Sequence, residues 1–219
     1  MEKQSALRYQ LVIVSLLFLP FVLGWICWNQ VPDEVPIHWN GKGEPDRYGH
    51  KAINLFLLPG INLMVNGLFW VIPYLDPKQN IPQIISTLRK YQVALNVFML
   101  LLYLVILGNM LGYDIRFDQV IPYAVFGLFA VLGNFFGKLR PNHFVGIRLP
   151  WTLEDEDNWN RTHRLAGQIW LIGSLVGALL YYLLSPINFL WILFPVLALL
   201  CGAPMIYSFS LFRRKRMSK

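Results

Sequence analysis

Two short stretches of this chain hold all four histidines and eight of the twelve acidic residues. The first, Pro32–Lys51, carries His38, Asn40, Glu44, Asp46, Arg47, His50 and Lys51 among turn-forming residues. The second, Lys138–Arg164, carries Asn142, His143, Arg148, Trp151, four acids over Glu154–Asp157, and Trp159, His163 and Arg164. Imidazole and carboxylate groups mixed in this way can ligate a metal, act as acid and base, or read a charged partner. The spacing of His38, Glu44, Asp46 and His50 fits no standard zinc pattern. No nucleophile motif accompanies His163 and Glu156. Binding therefore ranks above catalysis, and neither a cofactor nor a metal is expected.

The elements that must position these stretches are legible from charge alone. Six runs contain no Asp, Glu, Lys, Arg or His: Tyr9–Val31, Ala52–Leu75, Tyr91–Leu111, Gln119–Gly137, Leu165–Leu184 and Ile187–Phe212. About 20 apolar residues cross the hydrocarbon core of a bilayer as a helix. The 219 residues are 56% hydrophobic and 14% charged, which excludes a disordered chain and argues against a soluble domain. The expected fold is an all-α integral membrane protein of six transmembrane helices, with one ordered extracellular loop and one ordered cytoplasmic loop. Residues 1–219 form a single polytopic domain, made of a two-span unit over 1–90 and a four-span unit over 91–219. On this reading the ionisable groups lie outside the spans, which disfavours proton-coupled pumps and intramembrane proteases.

The net charge of +7 is unevenly placed. With both termini in the cytoplasm, the outer loops hold Lys42, Arg47, Lys51 and Arg116. The other fifteen Lys and Arg, including Lys78 and Arg213–Arg216, lie inside. That split follows the positive-inside rule and points to anionic membrane lipids, not nucleic acid, as the partner of the basic tail. Lys3 and Arg8 precede an apolar run too long for a signal sequence with no small-residue cleavage site, so the first span is read as retained. Cys27 and Cys201 fall inside spans at different depths and read as buried free thiols.

Local patterns sharpen the picture. Val35–Trp39 reads as an extended segment, Asn40-Gly41 as a tight turn and Gly43–Asp46 as a second turn. Thr152 with Asp155 resembles a capping box, which starts a helix near Leu153 that runs into the fifth span. Asp157 and Arg161 are spaced to pair on it. Asn54, Asn62 and Asn66 share one face of the second span, suited to interhelical hydrogen bonds or to a polar path. The pairs Gly108/Gly112, Gly133/Gly137 and Gly173/Gly177 suit close helix approach.

Val35-Pro36-Ile37-His38-Trp39-Asn40 with Gly43–Lys51 resembles the N-terminal domain of unknown function of SdpI-type bacterial immunity proteins. Asn142–Leu153 with Trp159–Arg164 resembles the C-terminal signature of the same family. His50 departs from the small residue that related loops carry there. The resemblance implies a bacterial plasma-membrane protein that protects its producer from a secreted toxic peptide and signals by holding a transcriptional repressor at the membrane. It assigns partner contacts to His38, Asn40, Glu44, Asp46, Arg47 and Lys51 outside, and to Asn142, Arg148, Trp151, Trp159, His163 and Arg164 inside. A small peptide or lipid transporter using the asparagine face, and a membrane enzyme using His163 with Glu156, are the competing readings.

Overall fold

The computed structural model describes residues 2–40, 44–75, 81–184 and 187–217. The Asn40-Gly41 and Gly43–Asp46 turns, and the charges of Lys42, Lys78 and Lys219, fall wholly or partly outside the described residues. In chain order the elements are α1 (Glu2–Ile26), β1 (Glu34–Trp39), β2 (Pro45–His50), α2 (Lys51–Leu75), α3 (Ile81–Met110), α4 (Phe117–Phe136), α5 (Pro150–Leu153), α6 (Glu156–Leu183) and α7 (Leu190–Met217). Six of the helices are long and apolar enough to cross a membrane: Leu7–Ile26, Lys51–Val71, Ile84–Met110, Phe117–Phe136, Glu156–Leu183 and Leu190–Met217. The protein is an all-α, multi-pass membrane protein, as the charge-free runs indicate. In a bilayer each backbone polar group needs a partner within its own segment, so the spans are helical.

Helices continue past the apolar runs, so the ionisable groups are not confined to loops. Lys51 opens α2, Arg89 and Lys90 lie in α3, Asp157–Arg164 occupy the first turns of α6, and Arg214–Arg216 close α7. Helix α6 also starts later than the Thr152 pattern predicts. Asp155 is its N-cap, accepting from the backbone N–H of Asp157 (3.1 Å) and Asn158 (3.4 Å). A carboxylate at a helix N-terminus meets both orphan donors and the positive end of the dipole, and here it displaces Thr152 from that role. Thr152 belongs to the separate turn α5, where its hydroxyl accepts from Leu149 N–H at 2.9 Å.

The chain forms two compact units, residues 1–70 with 89–124 and residues 71–88 with 125–219. In the first, Cys27, Val31, Val35, Leu55, Tyr103, Leu107 and Met110 form one core. Val35 of β1 is thus buried with the ends of three helices. The strands pair antiparallel, Glu34 opposite His50 and Trp39 opposite Pro45, with an irregularity around His38. In the second unit, Phe126, Tyr181, Ile192, Val196 and Leu200 join α4, α6 and α7. Gly133 lets α4 reach the α6 backbone: a Cβ there would lie 2.8 Å from Leu171 N, and one on Gly167 2.9 Å from the Gly133 carbonyl. Gly112 is no packing residue. It lies beyond the end of α3 with φ +89°, where it turns the chain out of the helix. Cys27 is buried but Cys201 is exposed on α7, against the expectation of two buried thiols; both are free.

Candidate functional site

The first motif loop is a β-hairpin tied to helix ends by a buried cation. Lys51 Nζ donates to the carbonyls of Trp28 (2.8 Å) and Val31 (3.1 Å) and pairs with Asp33 Oδ1 at 2.9 Å. The ammonium also lies 4.7 Å from the centroid of the Trp28 ring. An ammonium has three protons, and these three oxygens take them all. Two carbonyls of the turn that follows α1 are satisfied this way, and Lys51 N–H adds a bond to the Asp33 carbonyl. In return the Lys51 ammonium, by hydrogen bond first and charge second, holds the exposed Asp33 carboxyl below the usual carboxylate range. Asn54 Nδ2 donates to the Pro36 carbonyl, and Trp39 stacks on Phe117 with centroids 4.2 Å apart.

Outward from these ties the hairpin presents its polar groups. His38 Nδ1 lies 2.5 Å from Asp46 Oδ1, with both side chains exposed. Asn40 Nδ2 donates to Glu44 Oε2 at 2.9 Å, and Glu44 N–H donates back to Asn40 Oδ1 at 3.1 Å. Arg47 and Tyr48 are exposed. Of the sequence-predicted outer residues, His38 is brought to Asp46 and Asn40 to Glu44, Arg47 is exposed, and Lys51 lies inside. Among the described residues, no cluster of three or more His, Cys, Asp or Glu is placed to hold a metal.

The second motif loop is wrapped around a buried Trp–His pair. Asn142 is buried and forms a closed turn: Oδ1 accepts from Phe144 N–H (2.9 Å) and Val145 N–H (2.8 Å), and Nδ2 donates to the Arg140 and Val145 carbonyls. Trp159 and His163 are fully buried and stack at 4.0 Å. Trp159 Nε1 donates to the Leu139 carbonyl at 2.8 Å. His163 Nδ1 lies 2.8 Å from the Trp159 carbonyl, and its Nε2 accepts from Ile147 N–H at 2.9 Å. A carbonyl only accepts and an amide N–H only donates, so the ring is neutral with its proton on Nδ1. Phe144 and Val145 pack on Ile84 and Leu88.

At the other end of this loop Ser208 of α7 receives two groups. Its hydroxyl accepts from Trp151 Nε1 (3.0 Å) and its carbonyl from Asn158 Nδ2 (3.0 Å). Trp151 also lies against Phe209 and Phe212. Lys215 Nζ reaches Asp155 Oδ2 at 2.8 Å, which holds the Asp155 carboxyl below its usual value with help from the two N-cap amides. Arg148 and Arg164 are exposed. Arg148 Nη1 donates to the His143 carbonyl at 2.5 Å, and Arg164 follows directly on His163. The structure thus joins Asn142, Trp159 and His163 as an internal frame, with Trp151 half-buried and the two arginines at its surface.

Sequence reasoning named half of a further polar cluster, Asn62 and Asn66, and missed their partners. Asn62 and Asn66 of α2 meet Gln92 and Asn96 of α3. Asn96 Oδ1 accepts from Asn62 Nδ2 (3.0 Å) and Asn66 Nδ2 (3.1 Å); Asn66 Oδ1 accepts from Gln92 Nε2 (2.8 Å) and Asn96 Nδ2 (2.9 Å). Tyr9 of α1 donates to Gln92 Oε1 and lies under Arg89. The amides bond to each other, so the face is interhelical glue; Asn54 belongs to the hairpin instead. The spacing of Gln92 and Asn96, four apart within a charge-free run, was the available signal.

Comparison with known proteins follows these two loops. Residues 138–208 match the SdpI/YfhL protein family, and residues 15–63 match a domain of unknown function, DUF1648. The chain is 26% identical over 208 residues to Immunity protein SdpI of Bacillus subtilis strain 168, covering 93% of this chain and 96% of that protein. An uncharacterized protein of Archaeoglobus fulgidus is 32% identical over 69 residues, 32% of this chain and 36% of that protein. No solved structure matches.

Proposed function

This chain belongs to the SdpI/YfhL family, and from that premise we propose that it is a bacterial plasma-membrane immunity protein protecting its producer against a secreted toxic peptide. The observation that carries this reading is similarity to Immunity protein SdpI along nearly the full length of both chains. Both termini face the cytoplasm in this reading, so the hairpin meets the peptide outside. Its exposed His38–Asp46 and Asn40–Glu44 pairs and Arg47 offer donors and acceptors on a frame fixed by Lys51. The second loop faces the cytoplasm, where Arg148, Trp151 and Arg164 form the surface that holds a transcriptional repressor while Asn142, Trp159 and His163 keep that surface in shape. The protein works by binding, without a cofactor and without turnover.

The test is survival of a toxin-sensitive bacterium exposed to the toxic peptide of the SdpI system, with and without this protein. Arg47→Ala and Arg148→Ala are compared at matched membrane levels. Protection by the wild-type chain, weakened in Arg47→Ala, supports the reading. Absence of protection by a fully expressed wild-type chain overturns it. Loss of repressor recruitment in Arg148→Ala with protection retained would assign the two loops to the two separate tasks.

A further inference from the structure

We infer that the groove between α6 and α7 is a binding site for an anionic phospholipid. A cavity of about 500 Å³ opens along these helices, walled by Leu165, Ile169, Ile172 and Val176 of α6 and by Pro195 and Leu199 of α7. Its α6 wall continues to Leu180, so at 1.5 Å per residue the groove runs about 22 Å. One leaflet of a ~30 Å hydrocarbon core is about 15 Å deep, so an acyl chain fits lengthwise.

The walls named are aliphatic along a length that matches an acyl chain, which suits hydrocarbon as the occupant. Charge decides the headgroup. Arg161 lies four residues before Leu165 and seven before Gln168, on the helix face that lines the groove. Among the described residues its carboxylate partner is Asp157, 3.5 Å away with both side chains more than half exposed, a weak and screened pair that a phosphate can displace; the guanidinium also donates to the Tyr207 hydroxyl of α7, which leaves further N–H donors for a phosphate. A guanidinium offers a phosphate two parallel N–H donors. Gln168 adds a polar group to the groove lining seven residues along α6 from Arg161.

Delipidated full-length protein in detergent is titrated with dioleoyl phosphatidylglycerol or with dioleoyl phosphatidylcholine, and bound lipid is counted by native mass spectrometry. The anionic lipid is expected to bind about tenfold more tightly, the scale of one charge-assisted contact. Arg161→Gln should bring the two lipids level, and Val176→Trp should remove both by filling the groove. Each changed side chain is solvent- or lipid-exposed in the fold, so neither variant disturbs the core. Equal binding of the two lipids by the wild type, a preference that survives Arg161→Gln, or full binding by Val176→Trp would overturn the assignment. So would a two-chain species that Val176→Trp abolishes, since the groove would then belong to a second copy.

Discussion

Gly146 and His163 leave no room for a side chain between them. A Cβ on Gly146 would lie 2.4 Å from His163 Nε2, the atom that accepts Ile147 N–H, and residue 146 has φ +118°. Loop conformation and imidazole position are therefore fixed by the same contact.

Gly146→Ala should destabilise the protein by about 1–3 kcal/mol from backbone strain alone, with the steric clash added. His163→Ala leaves the Ile147 N–H without its acceptor and should cost about 1–3 kcal/mol before the lost stacking. Thermal unfolding in detergent reads both. The two changes act on one contact, so the double variant should fall clearly short of the sum.

Lys51→Met keeps the length of the stem and removes the donor. The Trp28 and Val31 carbonyls and the Asp33 carboxylate lose their shared partner, at about 1–3 kcal/mol. Limited proteolysis should cut between residues 33 and 50 in the variant under conditions in which the wild-type hairpin survives.

Asn96→Leu removes three bonds to Asn62 and Asn66 across the α2–α3 contact. Interhelical hydrogen bonds in membranes average about 0.6 kcal/mol, so a loss of about 2 kcal/mol is expected. Asn54→Ala should leave this helix pair intact and instead loosen the hairpin, which hydrogen exchange can distinguish.

Asp155 carries a pH signature. Its carboxyl is held below the ordinary Asp value, so the folded state binds that proton less readily than the unfolded chain does. The resulting stability is fully present above the ordinary Asp value and is lost as pH falls through the lowered one. Asp155→Asn keeps an N-cap but drops the charge. The stability gap between wild type and Asp155→Asn should be largest at neutral pH and close on acidification below about pH 4. A gap that persists at low pH would assign the effect to the cap alone.

The six spans were legible because a bilayer tolerates few unpaired charges, and each charge-free run supplied most of one helix. The extended Val35–Trp39 segment was also legible, from Pro36 and the turn residues after it; its strand partner Pro45–His50 was not, since charged and turn-forming residues mask a strand pattern. In the second loop the shared face of Trp159 and His163 was readable from their spacing. Periodicity says which residues lie together and not which side is buried, so only the fold reveals that both rings are enclosed and fully bonded. Thr152 looked like the cap because a capping box is defined by short-range spacing. The competing claim of Asp155, reinforced by Lys215 sixty residues away, is a tertiary fact. Gln92 and Asn96 escaped notice for the same reason: an amide in a span announces a need for a partner but does not name it.

Ser208 gives the second loop an all-or-none attachment. Its hydroxyl takes Trp151 and its carbonyl takes Asn158, so both sides of the α5–α6 corner are fastened to a single residue of α7. Advancing α7 by one residue would swing that position through about 100° and 1.5 Å. Both fastenings would part together, and no nearby serine stands ready at the same height to catch one of them: Ser210 is turned about 160° away around the helix by its two-residue offset. Helix α7 at this end has one seated register, and movement there can only be release.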